Sequence, residues 1–225
     1  MDIHKPKAWH GSRELAKEIA TIVVGVLIAL AAEQAVDWLR WRYEIGEARH
    51  ALGREITYNI KALQIMDGQS NCLVSRMDTL AAWASGTGPR PAGPILMPLL
   101  YSLQTSTWDV TNAGQVILHF PLESKLAYAT LFSRFANERE AINDERAAWA
   151  QVIALANQPK PDSEELRRLR EAIGLARVWE SRRSSNSRNM IRTGSPLAVD
   201  GPGPLTASLY NGYLTPCAPV AEHAR

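Results

Sequence analysis

The chain has 225 residues, with 25 basic and 23 acidic side chains and a formal net charge of +2. This near balance gives no electrostatic footprint for nucleic acid, whose binding depends on a concentrated basic face. Apolar residues make up 46% of the chain, the usual proportion for a folded protein, so composition also excludes wholesale disorder. The length suits one sizeable domain, or one domain with a membrane anchor.

An uncharged, apolar run extends from Ile19 to Ala32. At about 1.5 Å per residue it covers roughly 21 Å of helix, less than the hydrocarbon core of a bilayer, which is about 30 Å thick. Its flanks extend it to a predicted spanning helix over residues 15–38. Trp9 on one side, with Trp38 and Trp41 on the other, then lies at the membrane–water boundary, where Trp is favoured.

Two alternative interpretations of this run stay open. The sequence Ala29-Leu30-Ala31 has the small-x-small form of a cleavage site, so the run resembles a secretory signal. Glu18 directly before the apolar core, and a helical pattern that continues past Ala31, argue against cleavage. The third interpretation is a core helix of a soluble protein, which would need to be covered on all sides.

Orientation depends on the flanks of the predicted span. The counts of Lys and Arg on the two sides nearly tie, so the positive-inside rule does not decide by itself. A short basic head over residues 1–14, followed by a long domain, favours a cytoplasmic N-terminus. We therefore expect a single-pass protein of the bacterial inner membrane, in contact with the lipid bilayer, with a periplasmic domain.

Three small residues, Thr21, Gly25 and Ala29, recur every four residues on one face of the predicted span. Small side chains at this spacing let two membrane helices approach closely. The pattern is thus a candidate packing face for a homo-oligomer. The alternative is ordinary composition, because Gly and Ala are common in spanning helices.

Cys72 and Cys217 are the two cysteines of the chain. Two thiols cannot form a metal site alone, but in an oxidising compartment they can form one disulfide. Such a bond would tie the C-terminal tail to the domain. Two unpaired buried thiols are the alternative, and the sequence does not choose between them.

Helical periodicity continues beyond the anchor. The first helix is predicted from about Ser12 to Met66, because apolar residues recur at three- and four-residue steps and Gly68 follows. A second helix is predicted from Gln69 to Ser85. The Gly- and Pro-rich segment 86–94 is a predicted loop, and the apolar stretch around Pro98 is expected to form one or two helical turns.

A short helix is predicted to begin near Ser106, with a hydroxyl cap, and to end at Gly114. The six residues 115–120, QVILHF, fit a strand or one helical turn equally well.

The clearest helix is predicted over residues 122–156, with Leu122 and Leu126 at the start of its inner face. Asp162 and Glu165 form the capping box of a final helix.

These helices, joined by short breaks, predict an all-α fold. The anchor continues into an antiparallel bundle over residues 39–194. An irregular C-terminal tail is expected over residues 195–225, because Pro and Gly are frequent there and no periodicity is evident.

The anchor and the domain carry a pattern found in one group of bacterial proteins. In the anchor the matching residues are Glu18-Ile19, Ile22-Val23, Gly25 to Leu30, Gln34 and Trp38. In the domain they are Glu55-Ile56, Asn59-Ile60, Leu63, Thr107-Trp108, Ala113-Gly114 and Tyr128. The chain thus resembles an uncharacterised family of bacterial single-span membrane proteins, a domain of unknown function. It lacks the paired Asn that many members carry after the Gln. The resemblance implies the single-span topology and no activity.

The sequence shows no catalytic or metal-binding constellation. The five histidines are scattered, with no pair at i, i+4 and none beside a cysteine, so no zinc site is predicted. The segment GTGPRPAG follows no strand and lacks the Lys-Ser/Thr ending of a phosphate loop. We therefore expect no cofactor, no metal and no enzymatic activity.

Two charged clusters each have a functional and a structural interpretation. Glu138 with Asp144 or Glu145 could face a partner helix as a carboxylate site. The E-x-x-H companion of a di-metal centre is missing, and a solvated face is favoured. The arginines of the last helix could meet anionic lipid or an acidic partner. Pairing with neighbouring acids such as Glu164 and Glu171 is favoured instead.

Trp108 and Tyr128 mark a candidate pocket between helices, with packing of the loop-rich end as the alternative. The leading hypothesis is a membrane-anchored helical module that binds an unknown protein partner or itself. The alternative is a periplasmic small-ligand sensor that signals through a partner protein, because the head is too short to be a domain.

Overall fold

The computed structural model describes residues 11–199 and Cys217. Its α-helices are α1 (Ser12–Gly68), α2 (Ser70–Ala84), α3 (Ser106–Ala113), α4 (Leu122–Ala156) and α5 (Ser163–Gly194). Single 3-10 turns span Gln115–His119 and Ser195–Leu197. No strand occurs in these described ranges, so the all-α prediction is confirmed, and residues 115–120 form a helical turn.

The chain divides into two compact units, residues 1–47 and residues 48–225. The described part of the first unit is helix α1 up to Glu47. It contains an 18-residue window of mean hydropathy 2.2, of which no part is buried. The helix is therefore long and apolar enough to span a membrane. Trp9, predicted at one boundary, lies outside the described residues.

The second unit is organised around α5. Glu145 of α4 contacts Arg183, and Glu138, two turns earlier on α4, contacts Asn186. Because the numbering falls on one helix as it rises on the other, α4 and α5 are antiparallel. Asp78 of α2 likewise contacts α5, at Arg177.

An apolar core fills the end of the bundle where α2, α4 and α5 meet. Trp149 is its largest side chain and is fully buried. Its other buried members are Leu73, Met77, Leu80, Ala84, Ile95, Ala148, Val152, Ala156, Leu169, Ala172, Ile173, Ala176 and Cys217. Helices α2 and α5 supply 8 of these 14 buried residues, because apolar side chains recur on one face of each helix with a period of about 3.6 residues.

Segment 94–105 is extended, so the helical turns predicted around Pro98 are wrong. Pro98 provides no backbone N–H, and three side-chain amides satisfy other peptide groups of the segment at 2.5–3.3 Å. Each amide accepts a hydrogen bond from the N–H of one residue and donates one to the C=O of that same residue. The pairs are Asn157 with Ile95, Gln69 with Leu99 and Asn59 with Gln104. The amides replace the hydrogen bonds that a helix would have supplied.

The start of α3 differs from its predicted hydroxyl cap. The buried Glu55 carboxylate, from α1, accepts hydrogen bonds from the backbone N–H groups of Thr107 and Trp108 and from the Ser106 hydroxyl. A carboxylate also suits the positive end of the helix dipole. The cap therefore comes from a residue far away in the sequence.

The first turns of α4 also differ from the prediction. Leu122 and Leu126 were expected on the inner face but are exposed, whereas Tyr128 and Leu131 are buried. The buried face of α4 therefore begins at Tyr128, about two turns after the helix starts.

The chain returns to α1 after α5. The Val199 N–H donates to the Gly53 carbonyl and to the Thr57 hydroxyl. A Cβ on Gly53 would lie 2.6 Å from Cγ1 of Val199, so glycine permits this close approach. The predicted irregular tail otherwise falls outside the described residues, except for Cys217.

Candidate functional site

A group of charged side chains is buried between α4 and α5. Glu138, Glu145, Glu180 and Arg183 are respectively 2%, 0%, 3% and 1% exposed. Burying a charge is costly unless it is paired and hydrogen-bonded. The carboxyl groups of Glu145 and Glu180 share the guanidinium of Arg183, and Glu138 has no ion pair with it. This polar layer therefore costs stability that an apolar layer would not.

The hydrogen bonds of the layer are incomplete. Nε of Arg183 donates to Oε2 of Glu145 at 2.7 Å, and Asn186 donates to Oε2 of Glu138 at 2.8 Å. Nη2 of Arg183 lies 3.5 Å from Oε1 of Glu180, close enough for an ion pair but without a hydrogen bond. Among the described residues, Oε1 of Glu138 and of Glu145, both Nη atoms of Arg183 and the Ser187 hydroxyl also lack hydrogen-bond partners.

Burial controls the protonation of these carboxyl groups. Desolvation raises the pKa of Glu145, and Arg183 opposes this rise. Desolvation also raises the pKa of Glu138, against its hydrogen bond with Asn186 and the charges of Arg183 and Arg182. Both carboxyl groups therefore hold a proton more readily than a solvated glutamate.

The favoured solvated face was thus wrong for two residues of the acidic cluster. Glu138 and Glu145 are buried, whereas Glu140 and Asp144 are exposed. A seven-residue spacing could have revealed the difference: Leu131, Glu138, Glu145 and Val152 follow one another every seven residues and are all buried. The glutamates occupy core positions of a heptad pattern.

Two clefts open along the surface of the α4–α5 pair. One, of about 380 Å³, is lined by Gln151, Ala154, Leu155, Arg168, Glu171, Ala172 and Leu175. The other, of about 270 Å³, lies beside the polar layer and is lined by Arg134, Asn137, Glu138, Arg182, Asn186, Asn189 and Met190. Glu138 therefore connects the buried layer with the second cleft.

The pair proposed from the sequence as a pocket comes together in an aromatic cluster. The ring centroids of Trp108 and Tyr128 are 6.5 Å apart. Trp108 stacks on Phe132 at 5.5 Å, and Tyr128 meets Phe120 edge-on at 6.1 Å. The two clefts described above are lined by other residues.

The small-residue face of α1 is uncovered. Thr21, Gly25 and Ala29 are all exposed, and the Thr21 hydroxyl donates to the carbonyl of Lys17. A Cβ on Gly25 would meet nothing within 4 Å. Nothing in the described part of the chain therefore occupies this face.

Cys72 and Cys217 form a disulfide, with 5.7 Å between their Cα atoms. Cys217 is buried in the core against α2, α4 and α5. The sequence left open a disulfide or two unpaired thiols, and the structure contains the disulfide. The bond joins positions 145 residues apart and fixes Cys217 to the bundle.

Three of the eight arginines of α5 (Arg167, Arg168 and Arg183) pair with neighbouring acids of the same helix, as favoured from the sequence. Arg167 forms ion pairs with Glu164 and Glu171, and Arg168 forms one with Glu164 at 3.0 Å.

Within the described ranges, no group of three or more His, Cys, Asp or Glu side chains is arranged to hold a metal ion. The chain matches no protein-family model, no curated protein and no solved structure.

Proposed function

We propose that the chain is a single-pass membrane protein whose helical domain, outside the cytoplasm, binds a protein partner or a second copy of itself. One observation carries the proposal: the apolar side chains of α1 in the first unit face outwards. Ile22, Leu27 and Ile28 are 62%, 59% and 65% exposed. Covering each such side chain is worth about 1.5–3 kcal/mol, so the helix favours a lipid environment over water.

The aromatic residues after the apolar run support the same placement. The guanidinium of Arg42 lies 5.3 Å from the ring centroid of Trp38, and that of Arg40 lies 5.4 Å from Trp41. Trp and Arg side chains that combine an apolar body with a polar end are favoured at the edge of a bilayer.

The disulfide supports a periplasmic domain. A bond between Cys72 and Cys217 persists in an oxidising compartment, whereas bacterial cytoplasm keeps most thiols reduced. A periplasmic domain and a single span together place the N-terminus in the cytoplasm, and the span in the inner membrane.

The depth of the buried layer is better suited to a packing role than to catalysis. A catalytic acid or base must come within hydrogen-bond reach of its substrate. Glu145 and Glu180 are too deeply buried for that contact. The layer instead determines how α4 and α5 fit together.

Self-association through the small-residue face has a direct test. Full-length chain in bacterial membranes would be crosslinked, and Gly25→Leu would be compared with Val23→Leu, which lies on the opposite side of α1. We expect Gly25→Leu to reduce the dimer and Val23→Leu to leave it intact, because only the former separates the helix backbones. An equal effect of both variants would remove self-association from the proposal.

Membrane attachment is tested separately by alkaline extraction of the same membranes. We expect the chain to stay in the pellet at its full mass of 24.9 kDa. A shortened or extracted chain would contradict the anchor.

A second candidate function is a small-ligand sensor that signals through a partner protein. The cleft beside Glu138 favours it, since polar side chains from both α4 and α5 converge there. A ligand in this position would contact both helices and could shift their packing.

A further inference from the structure

One arginine of α5 differs from the others because it has no hydrogen-bond acceptor among the described residues. Seven of the eight have a hydrogen-bond acceptor: Arg167, Arg168, Arg170, Arg177, Arg183, Arg188 and Arg192. The exception within the described part of the chain is Arg182. Its guanidinium lies 5.1 Å from the ring centroid of Trp179, and it donates no hydrogen bond to a described residue.

Helix α4 repeats this pattern. Arg139 donates to the Thr105 hydroxyl, and Arg146 donates to Asn143 and to the carbonyl of Leu100. Arg134 has no acceptor among the residues that the structure describes. Both exceptional arginines line the same cleft of about 270 Å³, one on each of its two helices.

The remaining walls of the cleft are suited to a polar ligand. Asn137, Asn186 and Asn189 supply amide groups, and Glu138 forms part of the floor. Even with Glu138 ionised, two guanidinium groups against one carboxylate leave the cleft positive.

The other cleft on the same helix pair provides an internal comparison. It is larger, at about 380 Å³, and it also contains an arginine, Arg168. Glu164 already accepts from Arg168 at 3.0 Å, and Glu171 in the cleft wall already accepts from Arg167. The feature that suits the smaller cleft to a ligand is therefore its arginine donors, which lack described acceptors, and not its volume.

We propose that the cleft between Arg134 and Arg182 binds a small organic anion whose carboxylate or phosphate oxygens accept hydrogen bonds from both guanidinium groups. Arginine presents its N–H donors in a planar fork that matches these oxyanions. A volume of about 270 Å³ limits the ligand to a small molecule. The site belongs to the second unit alone, so it does not depend on the proposed membrane anchor.

The test is calorimetric titration of the full-length chain in an uncharged detergent, with succinate and inorganic phosphate as separate probes in chloride buffer. We expect saturable binding of at least one probe in the millimolar range or tighter. Arg134→Gln and Arg182→Gln should each weaken binding about tenfold or more, because a charge-assisted hydrogen bond is lost. Arg168→Gln is the matched control and should leave the affinity unchanged.

The identity of the stronger probe distinguishes carboxylate from phosphate recognition. Both test variants replace exposed side chains that donate no hydrogen bond to a described residue, so their melting temperatures should stay close to that of the parent chain. The proposal is overturned if neither probe binds saturably, or if Arg168→Gln weakens binding as much as the cleft variants. Neither result would alter the outcome of alkaline extraction, so the two proposals fail independently.

Discussion

The two units of the chain place their apolar side chains in opposite ways. In the first unit the apolar window of α1 has no buried part, whereas in the second unit the apolar side chains around Trp149 are enclosed. The second unit also encloses charges, between α4 and α5. A helix with exposed apolar side chains needs an environment from outside the chain, whereas a bundle that already has a core can include a costly polar layer.

The largest expected effect concerns the polar layer. Arg183→Met leaves the carboxyl groups of Glu145 and Glu180 buried without their shared cation. We expect a loss of about 3–5 kcal/mol in the free energy of unfolding, measured by denaturant titration of the full-length chain in detergent. Arg188→Met, which removes an exposed ion pair, should cost at most about 1 kcal/mol.

A double variant separates charge pairing from packing. Replacing Glu145 by Gln together with Arg183→Met removes both ends of the shortest ion pair in the layer. Much of the lost stability should return, because fewer unpaired charges are buried. If the double variant is as unstable as the two single losses added together, the layer is not coupled as its hydrogen bonds indicate.

The disulfide gives the next largest effect. Cys72→Ser should lower the free energy of unfolding by about 2–5 kcal/mol, because the bond restricts a long loop of the unfolded chain. Cys217→Ser should cost at least as much, because Cys217 also lies in the apolar core, and the double replacement should add little. Asn71→Ser, at the exposed neighbouring position, serves as the control. A Cys72→Ser variant as stable as the Asn71→Ser control would contradict a stabilising disulfide.

The first unit responds to a different kind of change. Leu27→Arg places a charge in the apolar window and should disfavour membrane insertion by about 2.5–3.5 kcal/mol, measured as the fraction retained after alkaline extraction. Leu27→Val should insert normally. If Leu27→Arg remains fully inserted, the helix is held by something other than its apolar surface.

The smallest expected effect is a dependence of stability on pH. The pKa values of Glu138 and Glu145 are raised above the usual 4.5 by burial, so the folded chain binds protons that the unfolded chain does not. The two buried carboxyl groups contribute fully to stability below about pH 4.5. This contribution is lost as the pH rises through their pKa values in the folded chain.

Unfolding should therefore become harder as pH falls from about 7 to about 5, measured by the denaturant midpoint. The Arg167 guanidinium holds the pKa of Glu164 at about 2, so this exposed group stays ionised in the folded chain over this whole pH range. Glu138→Gln should reduce the slope. A parent chain whose midpoint falls over this range would contradict the protonation of the buried layer.

The helices were predictable because periodicity is a local property of the sequence. The bounds of α4 and the capping box at Asp162 and Glu165 follow from residues within a few turns of each other. The long apolar helix at the start of α1 was predictable for the same reason, since its apolar run is continuous. The heptad spacing of Glu138 and Glu145 also contained a signal for burial, which their charge outweighed in the prediction.

The remaining features depend on residues far apart in the chain. Segment 94–105 is extended because amides such as Asn157 and Gln69 hold it, and no local pattern indicates those partners. The cap of α3 by Glu55 is of the same kind. Likewise, the cleft becomes evident only when Arg134 and Arg182 are seen to be the arginines of α4 and α5 that have no hydrogen-bond acceptor among the described residues.

The central claim, that α1 spans the membrane and the domain lies outside the cytoplasm, is tested most directly by a reporter at the C-terminus. Alkaline phosphatase, which is active only outside the cytoplasm, would be fused after Arg225 in bacterial cells. We predict an active phosphatase on an uncleaved chain that stays with the membrane fraction. An inactive phosphatase on a soluble chain would contradict the claim, because the exposed apolar residues of α1 would then be covered by something other than lipid.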